Sequence, residues 1–218
     1  MKKLLTSALL IAVSFVTGQV LAQELQGDPK AGEKKIAMCI GCHGIKGYQA
    51  SFPEVYRVPM ISGQNAKYIG NALTAYRAGD RRHPTMRGIA ASLTDQDIAD
   101  ISAYYAAHSQ AAPAPEKAAE PAGKVAELIT KGACNSCHGA NYSKGIDGSY
   151  PKLAGQHADY LYVALKSYKT ENMATWGRNN GIMGGIAKQF SNAELKELAK
   201  YMASQPGELQ TVPQSRFR

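Results

Sequence analysis

The chain has 218 residues, 44% of them hydrophobic, and carries 25 Lys and Arg against 17 Asp and Glu for a net charge of +8. A basic excess raises nucleic-acid binding as an option, but the positive residues are scattered among acids and form no run, so no nucleic-acid partner is expected.

The chain opens Met1-Lys2-Lys3, continues apolar from Leu4 to Val16 and reaches Val20-Leu21-Ala22 before Gln23. A basic start, an apolar middle and a small residue before the cut are the parts of a secretory signal peptide over residues 1–22. The competing reading is an uncleaved membrane anchor, which needs about 20 apolar residues; no later segment is long or apolar enough to span. Cleavage leaves 196 residues with 23 basic and 17 acidic groups, a net +6, and predicts export to the periplasm. That length suits one ordinary domain or two small ones.

Asp28-Pro29 predicts the cap and first turn of a helix running into Cys39. Tyr68, Ile69, Ala72, Leu73 and Tyr76 form one helical stripe, and Tyr160, Leu161, Ala164, Leu165 and Tyr168 repeat it. Thr94-Asp95-Gln96-Asp97 opens a last helix with Ile98, Ile101 and Tyr105 on one face. Ser191-Asn192-Ala193-Glu194 is the matching capping box, followed by Leu195, Leu198 and Met202. No alternating strand pattern stands out. Residues 110–122 are rich in Ala and Pro with no bulky apolar side chain, the composition of a solvated, extended linker.

The segments flanking that linker, residues 23–109 and 123–218, repeat each other. Cys39-Ile40-Gly41-Cys42-His43-Gly44 matches Cys134-Asn135-Ser136-Cys137-His138-Gly139 at an offset of 95. Pro59 to Gln64 matches Pro151 to Gln156 at 92, and Met86, Ile89, Ala90 and Tyr104 match Met183, Ile186, Ala187 and Tyr201 at 97. The expected fold is therefore all-α, a duplicated domain of about three helices per copy. Each copy is marginal alone at this size, and a large apolar prosthetic group at its centre supplies the missing core. The tyrosine stripes read as core packing first and cofactor contacts second.

Cys-x-x-Cys-His is the attachment signature of c-type haem. Two thiols three residues apart share one face of a helical turn and reach both vinyl groups of one porphyrin, and the histidine after them reaches the iron. Cys39, Cys42, Cys134 and Cys137 thus predict two covalent haem c groups, with His43 and His138 as proximal ligands. The alternatives are a thioredoxin-like pair, which needs an adjacent strand, a four-cysteine zinc site, which needs no histidine after each pair, and a disulfide across each motif.

The repeat selects the sixth ligand, because both copies should keep it. His83 aligns with Asn180, His108 with Gln205 and His157 with Asn65, so no spare histidine is paired. Met38 faces Ala133, Met60 faces Lys152, Met202 faces Tyr105, and Met173 has no counterpart. Met86 and Met183 alone match each other, and they are the predicted axial partners of His43 and His138. A ligating histidine donates its second ring N–H to an acceptor, for which the backbone carbonyls of Pro59 and Pro151 are candidates. A His/Met pair closes both axial positions and raises the potential. It leaves no iron site for a small-molecule substrate, so electron transfer rather than catalysis is expected.

CIGCHG and CNSCHG, PMISGQ and PKLAGQ, AYRAGDRRHPTM and IAASLTDQDIADISAYYA resemble cytochrome c4, over nearly the whole chain beyond the signal peptide. The resemblance implies two tandem class I cytochrome c domains, each around a covalent haem, with haem propionates facing each other near the domain interface. It implies a carrier, free or loosely associated with the inner membrane, between a cytochrome bc complex and a haem-copper terminal oxidase. One departure stands out: Arg77, Arg81 and Arg82 precede Met86, whereas Lys169 and Arg178, in a longer loop with Trp176, precede Met183. The second haem crevice is therefore expected to differ in shape. Competing functions are the cytochrome subunit of an exported dehydrogenase, for example one oxidising reduced sulfur compounds, a dihaem peroxidase, and a non-haem binding module stapled by disulfides.

Overall fold

Asp28 caps the first helix, α1 (Pro29–Glu33): its carboxylate accepts the Lys30 N–H at 2.8 Å, and Pro29 occupies the first turn, where its missing N–H is no loss. The structure, a computed structural model, describes residues 25–170 and 173–214; the segment read as a signal peptide lies outside them. The expected single helix into Cys39 is broken, and a second one, α2 (Ala37–His43), carries the first Cys-x-x-Cys-His. Tertiary contacts hold the break. A Cβ at Gly32 would stand 2.2 Å from the Asp100 carbonyl oxygen, so α1 presses against the last helix of this half, α5 (Asp95–Ala107). Lys35, in the turn, reaches Asp97 and Asp100 on that helix at 2.8 and 2.7 Å.

Between them lie α3 (Ala66–Ala78), stopped by Gly79 at φ 90°, and α4 (Pro84–Ala91), which carries Met86. The Thr94–Asp97 capping box forms as expected. Ile36, Ile40, Ile69, Leu73, Ile98, Ile101, Tyr104 and Tyr105 make the first core. The second half repeats the plan with α6 (Lys124–Gly132), α7 (Cys134–His138), α8 (Ala158–Lys169), α9 (Gly181–Ala187) and α10 (Asn192–Ser204). Ser191 and Glu194 form its capping box, and Leu128, Ile129, Phe190, Leu195 and Leu198 pack beneath. The striped helices are the long ones. Those carrying the cysteines and methionines have five to eight residues, too few for a periodic face to show.

Among the described residues, four two-residue strands complete the fold. β1 (Gln49–Ala50) pairs antiparallel with β2 (Tyr56–Arg57), and β3 (Arg81–Arg82) pairs with β4 (Gly177–Arg178), joining the halves in the register Arg81↔Arg178. Two residues cannot show alternation, so these pairings are absent from the sequence pattern. Across the same interface Arg57 meets Asp159 at 2.9 Å and Lys166 meets Glu54 at 2.8 Å. Residues 110–122 hold no helix or strand but are strapped along the second half. The Ala118 and Ala119 N–H groups donate to the Ala140 carbonyl and the Gln205 side chain, and Tyr201 donates to the Ala119 carbonyl. Among the described residues no helix is long and apolar enough to cross a membrane.

Candidate functional site

A single apolar cavity of about 1140 Å³ runs through both halves, larger than the roughly 300–1,000 Å³ of ordinary ligand pockets. Its lining includes Cys39, Cys42 and His43 from one motif and Cys134, Cys137 and His138 from the other. No disulfide joins the four cysteines, and burial pushes the Cys39 thiol up to about 11. Among the described residues no group of three or more His, Cys, Asp or Glu side chains could hold a bare metal ion. That disposes of the four-cysteine zinc reading.

Each motif histidine is oriented as the repeat suggested. His43 Nδ1 lies 2.8 Å from the Pro59 carbonyl and His138 Nδ1 lies 3.3 Å from the Pro151 carbonyl. A carbonyl only accepts, so Nδ1 carries the proton and Nε2 keeps its lone pair. Burial holds both imidazoles below their usual range, against the pull of the proline carbonyls. Neutral rings with a free Nε2 are what an iron requires of its ligand.

Met86 and Met183 both line the cavity, each at the third position of a short helix. A device that escaped the sequence reading fixes them there. His83 Nδ1 accepts the Met86 N–H at 3.4 Å, and Asn180 Oδ1 accepts the Met183 N–H at 2.9 Å. The unmatched pair His83/Asn180 is thus one functional position: two N-cap acceptors, each three residues before its methionine. With Nε2 bonded to the Tyr56 hydroxyl at 3.0 Å, His83 has no ring nitrogen left to ligate. Met173, 48% exposed, does not line the cavity, and Met38 lines it but is 51% exposed and has no counterpart in the other copy.

Arg81 and Arg178 enter the cavity side by side from β3 and β4. Each donates to the Tyr160 hydroxyl, at 2.9 and 3.1 Å, so the two guanidinium groups approach within about 6 Å. Arg81 also donates to Tyr68 at 3.2 Å and lies over the Tyr76 ring at 4.7 Å. Arg178 donates to Tyr168 at 3.4 Å. Burial opposes ionisation of Tyr160, but the two guanidinium groups outweigh it and bring the hydroxyl below its usual range. The tyrosine stripes therefore serve the cavity at least as much as the core. The two sets of basic residues, read as a departure between the copies, share this arginine: 81 and 178 differ by 97, the offset of the methionines.

Among the described residues neither guanidinium has a carboxylate at ion-pair distance, and Arg81 Nε has no partner at all. Two like charges 6 Å apart repel by about 3 kcal/mol at an effective dielectric constant of about 20. A buried charge without a counter-ion is strongly unfavourable. The site thus fits flat apolar groups that carry carboxylates, bound through thiols and imidazoles.

The sequence model of the family described as "Cytochrome c" matches residues 30–108 and again 122–206. Cytochrome c4 of Stutzerimonas stutzeri is 32% identical, over 93% of this chain and 98% of that relative. The chain belongs to the cytochrome c4 family. The crystal structure of reduced recombinant cytochrome c4 from Pseudomonas stutzeri superposes with a TM-score of 0.61 at 28% identity, covering 82% of this chain and 99% of that one. A relative described as the thiosulfate dehydrogenase electron acceptor of Stutzerimonas stutzeri (strain A1501) is 32% identical over 80% of this chain and 82% of its own length. Membership of the cytochrome c4 family makes this an all-α dihaem electron carrier with two covalently bound haem c groups, one in each cytochrome c domain.

Proposed function

We propose that the protein carries single electrons in the periplasm, with Cys39, Cys42, His43 and Met86 holding one haem and Cys134, Cys137, His138 and Met183 the other. The haems, when bound, supply one-electron iron couples whose potentials are raised by His/Met ligation. The polypeptide supplies the rest. The proline carbonyls fix the imidazoles, the N-caps at His83 and Asn180 fix the methionines, and Arg81 and Arg178 neutralise the haem carboxylates where the two domains meet. The observation that carries this reading is the continuous cavity lined by one complete thiol, imidazole and thioether set from each half.

As donor and acceptor we assign a cytochrome bc complex and a haem-copper terminal oxidase. The test is stopped-flow mixing of the holoprotein with inner-membrane vesicles. Quinol-driven reduction through the bc complex and oxygen-driven reoxidation should both proceed at turnover rates, and failure of both steps would remove this assignment.

A second reading is the electron acceptor of an exported dehydrogenase that oxidises reduced sulfur compounds. It is supported by the likeness to a thiosulfate dehydrogenase electron acceptor. Ile45 and Val55, exposed beside the first motif and outside the cavity lining, offer such a partner an apolar contact. Thiosulfate-dependent reduction by such a dehydrogenase, with no reduction by the bc complex, would favour it.

A further inference from the structure

Gln64 and Gln156 close the two repeated blocks, each after a glycine at positive φ, 86° at Gly63 and 74° at Gly155. Gln156 reaches across the interface, where its Oε1 accepts the Met60 N–H at 3.1 Å and its Nε2 donates to the Met60 carbonyl at 2.8 Å. Gln64 reaches the opposite way: its Oε1 accepts the Lys152 N–H at 2.8 Å and its Nε2 donates to the Lys152 carbonyl at 3.0 Å. Both are buried, at 4% and 3% exposure, and each Oε1 also accepts the N–H of the next residue in its own chain segment.

The residues they clamp follow the two prolines. The Met60 N–H belongs to the same peptide group as the Pro59 carbonyl, which accepts the His43 ring proton. An unbroken path therefore runs from the His43 Nδ1–H, through the Pro59–Met60 peptide, to Gln156 of the other domain. The mirror path runs from His138 through the Pro151–Lys152 peptide to Gln64. A peptide whose N–H is hydrogen-bonded has a more negative carbonyl oxygen, because successive bonds polarise one another. A better acceptor at Nδ1 makes the imidazole a stronger donor to its metal and stabilises the ferric state.

We propose that Gln64 and Gln156 are positioning residues exchanged between the domains, each setting the proximal histidine, and hence the potential, of the haem in the other domain. The proposal rests on the assignment of His43 and His138 as iron ligands and goes beyond it, because neither glutamine touches a predicted ligand of its own domain in this path.

The test is a redox titration of three holoproteins, wild type, Gln156→Met and Gln64→Met, with each wave assigned by the Met86→Ala and Met183→Ala proteins. Gln156→Met removes the acceptor from the Pro59–Met60 peptide and should raise the potential of the first-domain haem. The expected change in its reduction equilibrium constant is about three- to ten-fold, roughly 30–60 mV at 59 mV per decade for one electron. The second wave should stay in place, and Gln64→Met should give the converse. Gln156→Asn, too short to span the interface, should repeat the first result if the methionine variant fails to fold. A shift confined to the variant's own domain, an equal shift of both waves, or no shift overturns the proposal. Loss of low-spin haem in the wild type would instead overturn the ligand assignment.

Discussion

Replacing Asn180 by alanine tests how the second domain presents Met183. The helix that carries it, α9, has seven residues, three of them glycine at 181, 184 and 185, each about 1 kcal/mol less favourable than alanine in a helix. Its first turn depends on the 2.9 Å bond from the Met183 N–H to Asn180 Oδ1, and loss of such a cap costs about 1 kcal/mol. At 1.4 kcal/mol per decade, the population with Met183 released rises about five-fold. External imidazole binds only an open iron, so its apparent affinity scales with that population. Titrating the ferric protein should show about five-fold tighter imidazole binding at the second haem in Asn180→Ala and no change at the first. Asn180→Asp keeps a capping oxygen and should behave as wild type. Equal affinity in wild type and Asn180→Ala would mean that the Asn180 cap does not hold Met183 on the iron.

Arg81→Gln or Arg178→Gln removes one of the two paired positive charges proposed to neutralise the haem carboxylates, which would favour the ferric state; potentiometry should show a lowered potential in each variant. Met86→Ala should lower the first potential and open that iron to carbon monoxide, leaving the second wave nearly unchanged. Asp100 accepts the Asp28 N–H at 2.8 Å and Lys35 Nζ at 2.7 Å. First that N–H and then Lys35 hold its carboxyl below the usual range. A depressed value contributes stability above the ordinary aspartate range, near pH 3.9, and loses it as pH falls through the lower folded value. Asp100→Asn should therefore lose about 2 kcal/mol at neutral pH, with the gap closing on acidification in thermal melts.

What the sequence disclosed was local chemistry. Thioether attachment and iron ligation impose Cys-x-x-Cys-His within five residues, and a capping box needs four, so those features stand out in one dimension. The block offsets of 95, 92 and 97 exposed the duplication, and with it Met86 and Met183. The interface stayed hidden because its parts have no period and no neighbours in the chain. Gln64 meets Lys152 across 88 positions, and β3 and β4 are two residues each. His83 and Asn180 looked unmatched because residue identity was compared, whereas the shared property is an acceptor three residues before the methionine. The break between α1 and α2 was likewise invisible, since a distant helix imposes it at Gly32 and Lys35.

Two irons held in this cavity by closed His/Met ligation have a direct optical signature. The decisive measurement is an optical redox titration of the purified holoprotein, with spin state read from the same spectra. Two low-spin haem waves at clearly positive potential are the predicted result. A high-spin component, or a wave at low potential, would mean that one iron lacks its methionine and would move a dihaem enzyme to the front.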